Sequence, residues 1–327
     1  MTLLNALIAL PLLSCPAAPP ASAGIDRAQV DATAKWVAHV DVEAFRATQL
    51  FQEIKAADKE GELDKALGDV ESQHGIQLLE DVFSFTAYGT RLGDEHGVVL
   101  VQANAHAEAA LTAAQEKHGA KSLRIRERDC VQWGAGVEDG FSCLLPATGE
   151  RRQIVLTKTQ GDLEQALDVL DKKRPALDSQ PQSDLYAPPA AGSFLFVAAS
   201  GILEELAGPH GHDIKQVSAA ARLAKGLRVE LGEASGNVYL DLRLRTEKPE
   251  DAQRIQKVFE GLLALPGILH GGSELGEVLD RLTQAIKVEA LNEIAHVRFQ
   301  YAAKALFGEI QKLQGLDLEE HAGENPK

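Results

Sequence analysis

The chain has few aromatic residues and an excess of acidic over basic side chains. Aromatic residues make up 5% of the 327 residues, which leaves little material for the stacking platforms that bind single-stranded nucleic acid. Lys and Arg number 33 against 48 Asp and Glu, and the net charge of −15 opposes binding to phosphate backbones and anionic lipid surfaces. We therefore expect no nucleic-acid partner.

The sequence also lacks the motifs of several common enzyme classes. It contains no Gly-x-Ser-x-Gly elbow, His-Glu-x-x-His pair, P-loop or Cys-x-x-Cys. Gly134, Gly136 and Gly140 miss the dinucleotide-binding spacing by one position, and a strand pattern, not a helix pattern, follows them. These residues indicate a hairpin loop. We therefore expect a non-catalytic protein without a cofactor.

The N-terminus carries the clearest functional pattern. An apolar run from Leu3 to Leu13 is too short to span a bilayer and is typical of a signal-peptide core. Small residues at 21–23 predict cleavage between Ala23 and Gly24, and hence export to the periplasm or the medium with no membrane span left. A lipoprotein acylated at Cys15 is an alternative, because 12–15 resembles a lipobox. The remaining possibility is an uncleaved membrane anchor or a cytoplasmic protein.

Two cysteines, Cys130 and Cys143, remain after such cleavage. An even number of cysteines in an exported chain favours a disulfide over a metal site. The flanking residues read as two strands around a loop at 134–140, which places the two cysteines opposite each other. We expect a cross-strand disulfide; two unbridged buried thiols are the alternative.

The order of predicted elements is similar in the two halves of the chain: strand, helical segment, hairpin, helix, strands and closing helix. A Pro-rich stretch separates them. We expect the α+β class, as two similar modules that arose by internal duplication, each an antiparallel sheet with helices on one face. The predicted division is a signal peptide (1–23), a first domain (24–173), a linker (174–192), a second domain (193–315) and a polar tail (316–327).

Three segments are distinguished by their order of strand-forming and helix-forming residues: Trp36–Val42, Asp81–Thr86 and Thr157–Leu163. With them, the chain resembles a loose group of exported bacterial α+β proteins of unknown function. The resemblance implies export and a duplicated architecture. It transfers no active site.

One histidine pair could bind a metal. His210 and His212 form a His-x-His pair, and Asp213 adds a carboxylate. The pattern resembles the start of a metallo-hydrolase box, but Ile214 and Lys215 stand where that box needs an acid and a histidine. An exposed loop with Asp213 as a helix cap is the other interpretation. Two further histidines, at 39 and 296, are expected to be half-buried or at the surface and have no identifiable partner.

These observations support three functional hypotheses. The first is an exported, non-catalytic protein that binds an unknown protein or small molecule or supports the cell envelope. The second is an exported metal-dependent hydrolase that uses His210, His212 and Asp213. The third is a carrier of small molecules or lipids with a pocket between the two domains.

Overall fold

A computed structural model describes residues 24–58, 61–91, 96–117, 119–134, 140–179, 184–201, 222–269 and 272–322. The strands are β1 (Trp36–Asp41), β2 (Val82–Gly89), β3 (Val98–Ala103), β4 (Lys121–Ile125), β5 (Arg128–Trp133), β6 (Gly140–Leu144), β7 (Arg152–Thr157), β8 (Ser193–Ser200), β9 (Ala224–Ala234), β10 (Asn237–Thr246), β11 (Ile286–Leu291) and β12 (Ile294–Ala302). The helices are α1 (Val42–Arg46), α2 (Gln49–Ala57), α3 (Glu62–His74), α4 (Leu78–Asp81), α5 (Ala105–Lys117), α6 (Gln160–Leu170), α7 (Pro249–Leu269), α8 (Glu274–Gln284) and α9 (Ala303–Ala322).

All of these strands join in one sheet. Its order is β11-β12-β10-β9-β8-β1-β2-β3-β7-β6-β5-β4, and the paired strands are antiparallel. The α+β class is therefore confirmed. The two halves meet where β1 pairs with β8, with Val37 opposite Ala198. The internal duplication is not confirmed, because the halves share this sheet instead of each forming its own.

Side chains alternate between the two faces along each strand, and directly paired residues share a face. We call the face that carries Val37, His39 and Asp41 face A. The opposite face, which carries Trp36, Ala38 and Val40, is face B. The strand registers extend both faces across the whole sheet.

On face A, α6 and the N-terminal segment (24–35) cover the first half, and the Pro-rich segment packs on β8 and β9 where the halves meet. Helix α6 begins at Thr159, whose hydroxyl accepts a hydrogen bond from the amide of Asp162. Leu163 and Leu167 of α6 are fully buried. They belong to a core that also contains residues of both halves: Val30, Val37, Tyr88, Val98, Leu100, Val155, Phe196 and Ala198.

Other helices cover face B. In the first half, Ala107 and Leu111 of α5 pack with Val101 and Ile154. In the second half, Ile255 of α7 and its neighbours pack with residues of β9, β10, β11 and β12. The prediction of helices on one face of each sheet is therefore wrong for the first half, because α5 and α6 lie on opposite faces. A strand pattern shows which residues are buried but not which helix buries them.

The Pro-rich segment, predicted as a linker, packs on the sheet in its described parts. Short 3-10 helices form at Leu177–Ser179 and Asp184–Tyr186, and Leu177, Leu185 and Tyr186 are buried in the shared core. The division into two domains stays a prediction. The two halves share one sheet, and the core on face A contains residues of both. At the other end, α9 continues to Ala322, past the predicted boundary at 315.

Candidate binding cleft between the two halves

A cleft of about 620 Å³ is lined by residues of both halves, next to the end of β1 and the start of β8. The N-terminal segment and α1 form one wall. The end of the Pro-rich segment and the turn between β9 and β10 form the other. The lining residues are Gly24, Ile25, Ala44, Ala47, Thr48, Pro188, Pro189, Ala190, Ala191, Gly192, Glu233, Ser235 and Gly236. This volume falls in the range of small-molecule sites, and most of the lining is small and apolar.

Arg228 holds the Pro-rich wall in place. The side chain is 3% exposed and donates hydrogen bonds to four main-chain carbonyls of that segment. The distances are 3.1 Å to Asp184, 3.1 Å to Leu185, 2.6 Å to Ala187 and 3.0 Å to Pro188. A Pro-rich segment has few amide groups with which to join a sheet. A buried guanidinium with its fixed set of donors replaces that pairing.

Glu230 compensates the charge of Arg228. Its Oε1 accepts from Arg228 Nε at 2.7 Å, and its Oε2 accepts from the amide of Ala190 at 2.8 Å. The guanidinium also lies over the ring of Phe196, 5.0 Å from its centroid. A buried charge needs a partner and hydrogen bonds to offset its desolvation. Glu230 supplies the partner charge, and the main chain of the Pro-rich segment supplies the hydrogen bonds. These contacts attach the cleft wall to the sheet.

Glu233 is the acidic residue of the cleft lining. Its two carboxylate oxygens accept hydrogen bonds from the amides of Gln49 and Leu50 at 2.9 and 3.0 Å. These amides belong to the first turn of α2, where the helix dipole favours a negative charge. Gly192 closes this corner with φ of 83°, and a Cβ there would lie 2.2 Å from the carbonyl oxygen of Glu233. A glycine is therefore required at this position.

The N-terminal wall is also fixed to the Pro-rich segment. Asp31 accepts from Arg174 Nε at 3.0 Å and pairs with Ala176 through an isolated bridge. Arg27 donates to the carbonyl of Leu177 at 2.9 Å. The two segments that flank the cleft thus hold each other as well as the sheet.

The lining determines what the cleft can bind. Among its described residues, Glu233 carries the titratable side chain, and both of its oxygens already accept amide hydrogen bonds. Thr48 binds the amide of Phe51 at 3.0 Å as the N-cap of α2. Since these polar groups serve α2, the remaining surface is that of Ala, Pro, Gly and Ile side chains together with Ser235. A neutral, mainly apolar small molecule fits it best.

Two titratable residues of β1 are buried on face A. His39 is 4% exposed and Asp41 is 3% exposed. Burial lowers the pKa of His39 to about 4, and burial raises the pKa of Asp41 above its usual value. His39 Nδ1 lies 2.8 Å from Thr86 Oγ1, and Asp41 caps α1 through the amide of Ala44. His39 is thus more buried than expected.

His296 is also buried, although a surface or half-buried position without a partner was expected. Its Nε2 lies 2.8 Å from Asp241 Oδ2, and its Nδ1 lies 3.6 Å from Glu289 Oε1. The partners stand on neighbouring strands, so their proximity could not be read from sequence spacing.

Only some of the predicted site residues lie within the described part of the chain. Gly24, the predicted new N-terminus, lines the cleft. Cys130 and Cys143 are direct partners on β5 and β6, as predicted. Both thiols are free in this structure, so the disulfide between them stays a prediction. Ala23, Cys15, His210, His212 and Asp213 lie outside the described residues. In the part of the chain that the structure describes, no group of three or more His, Cys, Asp or Glu side chains could hold a metal ion.

The sequence interpretation missed Arg228 and Glu230. Their signal was present: the two charged residues alternate with Leu227, Val229 and Leu231 in a strand pattern. Such alternation predicts a half-buried strand with its polar side in water. The polar side is instead covered by the Pro-rich segment, whose contribution is carbonyl oxygens that no sequence pattern reveals.

No protein-family model and no curated protein match the chain. Among solved structures, crystal form III of TP0453 is similar, with a TM-score of 0.48, 10% identity, and coverage of 89% of this chain and 99% of that one. Crystal form I of TP0453 has a TM-score of 0.44 and 10% identity, and coverage is 89% and 98%. None of the helices within the described residues is long and apolar enough to cross a membrane. The function is therefore inferred from the chain's own residues.

Proposed function

We propose that this chain is an exported, non-catalytic binding protein whose ligand site is the cleft between its halves, and that the ligand is a small, mainly apolar molecule. The cleft carries this proposal, because residues of both halves and of the Pro-rich segment form it together. Of the three hypotheses from the sequence, it combines the first and the third. The signal-peptide pattern at the N-terminus supports export.

Gly24 would link export to binding, because the predicted new N-terminus lies at the cleft. Gly24 lines the cleft, and the next residue, Ile25, is 8% exposed. Cleavage after Ala23 would therefore place the new N-terminus at the rim of the cleft and leave the buried residues intact. We expect the mass of the exported protein to correspond to a chain that begins at Gly24. A chain acylated at Cys15, or a full-length cytoplasmic chain, would contradict this form of the protein.

A variant with a larger side chain in the cleft tests the binding site directly. Ala47 lines the cleft at the C-cap of α1 with ordinary helical dihedral angles, so Ala47→Trp adds volume without backbone strain. The probe is N-phenyl-1-naphthylamine, a neutral apolar dye whose fluorescence reports binding to the chain from Gly24 onward. We expect the Kd of the variant to rise at least about tenfold, a loss of about 1.4 kcal/mol.

Ala109→Trp is the matched control, because Ala109 is an exposed residue of α5 and α5 packs on face B. This control should bind the dye like the unmodified protein. Equal dye binding by Ala47→Trp and the unmodified protein would exclude the cleft as the apolar site.

A further inference from the structure

The two cysteines of the mature chain form one buried pair. Cys130 and Cys143 stand directly opposite each other on β5 and β6, and each is 1% exposed. Directly paired residues of antiparallel strands have Cα atoms about 4.5–5.5 Å apart, which lies within the range that a disulfide spans. Both side chains belong to the core on face A with Leu163 and Leu167 of α6.

The same environment protects the thiols once the protein has folded. The thiolate is the form that attacks a disulfide. Burial, with a further contribution from the neighbouring Cys130 thiol, raises the pKa of Cys143 from 9.0 to about 12. The thiolate fraction of Cys143 falls about 1,000-fold over that interval, and the higher nucleophilicity of the remaining thiolate offsets only part of the loss, leaving attack by this thiol about 30-fold slower. The lack of access to the buried sulfur atoms slows the reaction further.

We propose that Cys130 and Cys143 form a disulfide only while the β5–β6 hairpin is still open, before α6 packs over it, so that the bond records the redox state of the compartment in which the chain folded. This inference goes beyond the proposed binding function and does not depend on it. A chain that folds under reducing conditions keeps two thiols afterwards, even when an oxidant is present.

The chemistry is thiol–disulfide exchange with a small or protein disulfide as oxidant. One cysteine thiolate attacks that disulfide, forms a mixed disulfide and releases one oxidant thiol. The second cysteine then attacks the mixed disulfide, which forms the Cys130–Cys143 bond and releases the second oxidant thiol. The two cysteines lose two electrons, the oxidant gains them, and the two thiol protons end on the released oxidant thiols.

The test compares folded and refolding protein in one glutathione disulfide buffer. One sample is the reduced, folded chain from Gly24 onward, and the other is the same reduced chain diluted from denaturant. Samples are quenched with acid, alkylated and mapped under non-reducing conditions. We expect the linked peptide to form during refolding, and to form at least about 30-fold more slowly in folded protein. If no linked peptide forms during refolding, the disulfide is wrong.

A matched control separates burial from strand geometry. Arg124 and Asp129 are also direct cross-strand partners, on β4 and β5, but both are exposed. Arg124→Cys with Asp129→Cys, in a chain that also carries Cys130→Ala and Cys143→Ala, should become oxidised readily in the folded state. If the natural pair in folded protein becomes oxidised as fast as this exposed pair, the proposed order of events is overturned.

Discussion

Two arginine–carboxylate pairs lie side by side on face A, one covered and one open. Arg228 and Glu230 belong to β9, and Arg243 and Asp241 belong to β10; the arginines are direct partners and so are the carboxylates. The side chains of the β9 pair are each 3% exposed, whereas those of Arg243 and Asp241 are 37% and 18% exposed. Each pair joins an arginine to a carboxylate two residues away on the same strand. The pairs differ in the carboxylate, in the further contact of Asp241 with His296, and above all in their cover.

The difference shows how the Pro-rich segment changes the role of a charge. Around Arg228, it supplies carbonyl acceptors and excludes water, so we expect the loss of either partner of the buried pair to be strongly destabilising. Around Arg243, water competes for the same hydrogen bonds, and the pair should contribute little. These two neighbouring strands of the second half are thus distinguished less by their own charged residues than by what lies over face A.

The largest expected effect comes from breaking the covered pair. Arg228→Met leaves Glu230 buried without its partner and releases the carbonyls of the cleft wall. The expected loss in the free energy of unfolding is about 3–5 kcal/mol. It can be measured by urea denaturation. Arg228→Met combined with Glu230→Gln removes both charges and should recover much of the loss. A single variant as stable as the unmodified protein would mean that the pair contributes nothing.

Local patterns predicted much of the sheet. The hairpin that each half was predicted to contain is present, as β2 with β3 in the first half and β9 with β10 in the second. The Cys130–Cys143 register followed from the length of one loop. These pairings join neighbours in sequence, so turn chemistry and alternation suffice.

The pairing of β1 with β8 and the cleft could not be predicted in this way. The strand pairing joins residues about 160 positions apart, such as Val37 and Ala198. The cleft depends on contacts between the N-terminal and Pro-rich segments, whose sequences show no helical or strand periodicity of apolar residues. A Pro-rich composition suggests a linker, and the buried Leu185 and Tyr186 that attach it to the core were too few to signal otherwise.

The next largest effect concerns His39, which is buried on the covered part of face A. Its pKa is lowered to about 4 in the folded protein, against 6.5 when unperturbed. Between these values the unfolded chain binds a proton that the folded chain does not, so stability falls as the pH is lowered from 6.5 towards 4. The interval corresponds to at most about 3 kcal/mol.

His39→Gln should remove this part of the pH dependence while keeping a polar group near Thr86. Urea denaturation between about pH 7 and pH 4 should give a flatter stability curve for the variant than for the unmodified protein. Asp41, whose pKa is raised, acts in the opposite direction in both proteins and does not affect the difference between them. Parallel curves would show that the histidine titrates normally in the folded state.

The smallest effect is expected at the open pair. Burial tends to raise the pKa of Asp241, but hydrogen bonds from Arg243 and His296 outweigh it, so the pKa lies below its usual value. A carboxyl with a lowered pKa stabilises the fold above the pKa of the unfolded chain, and this contribution is lost as the pH falls. Arg243→Met removes the strongest of these hydrogen bonds and should cost less than about 1 kcal/mol at neutral pH, because the pair is partly exposed.

That cost should shrink in high salt and again at acidic pH, where Asp241 is protonated with or without Arg243. Urea denaturation of Arg243→Met beside Arg228→Met makes the comparison direct, since the two arginines face each other across one ladder of the sheet. If both variants lose the same stability, the cover provided by the Pro-rich segment is not what makes Arg228 essential. If only Arg228→Met loses several kcal/mol, the difference follows mainly from burial, because both pairs join an arginine to a carboxylate two residues away on the same strand.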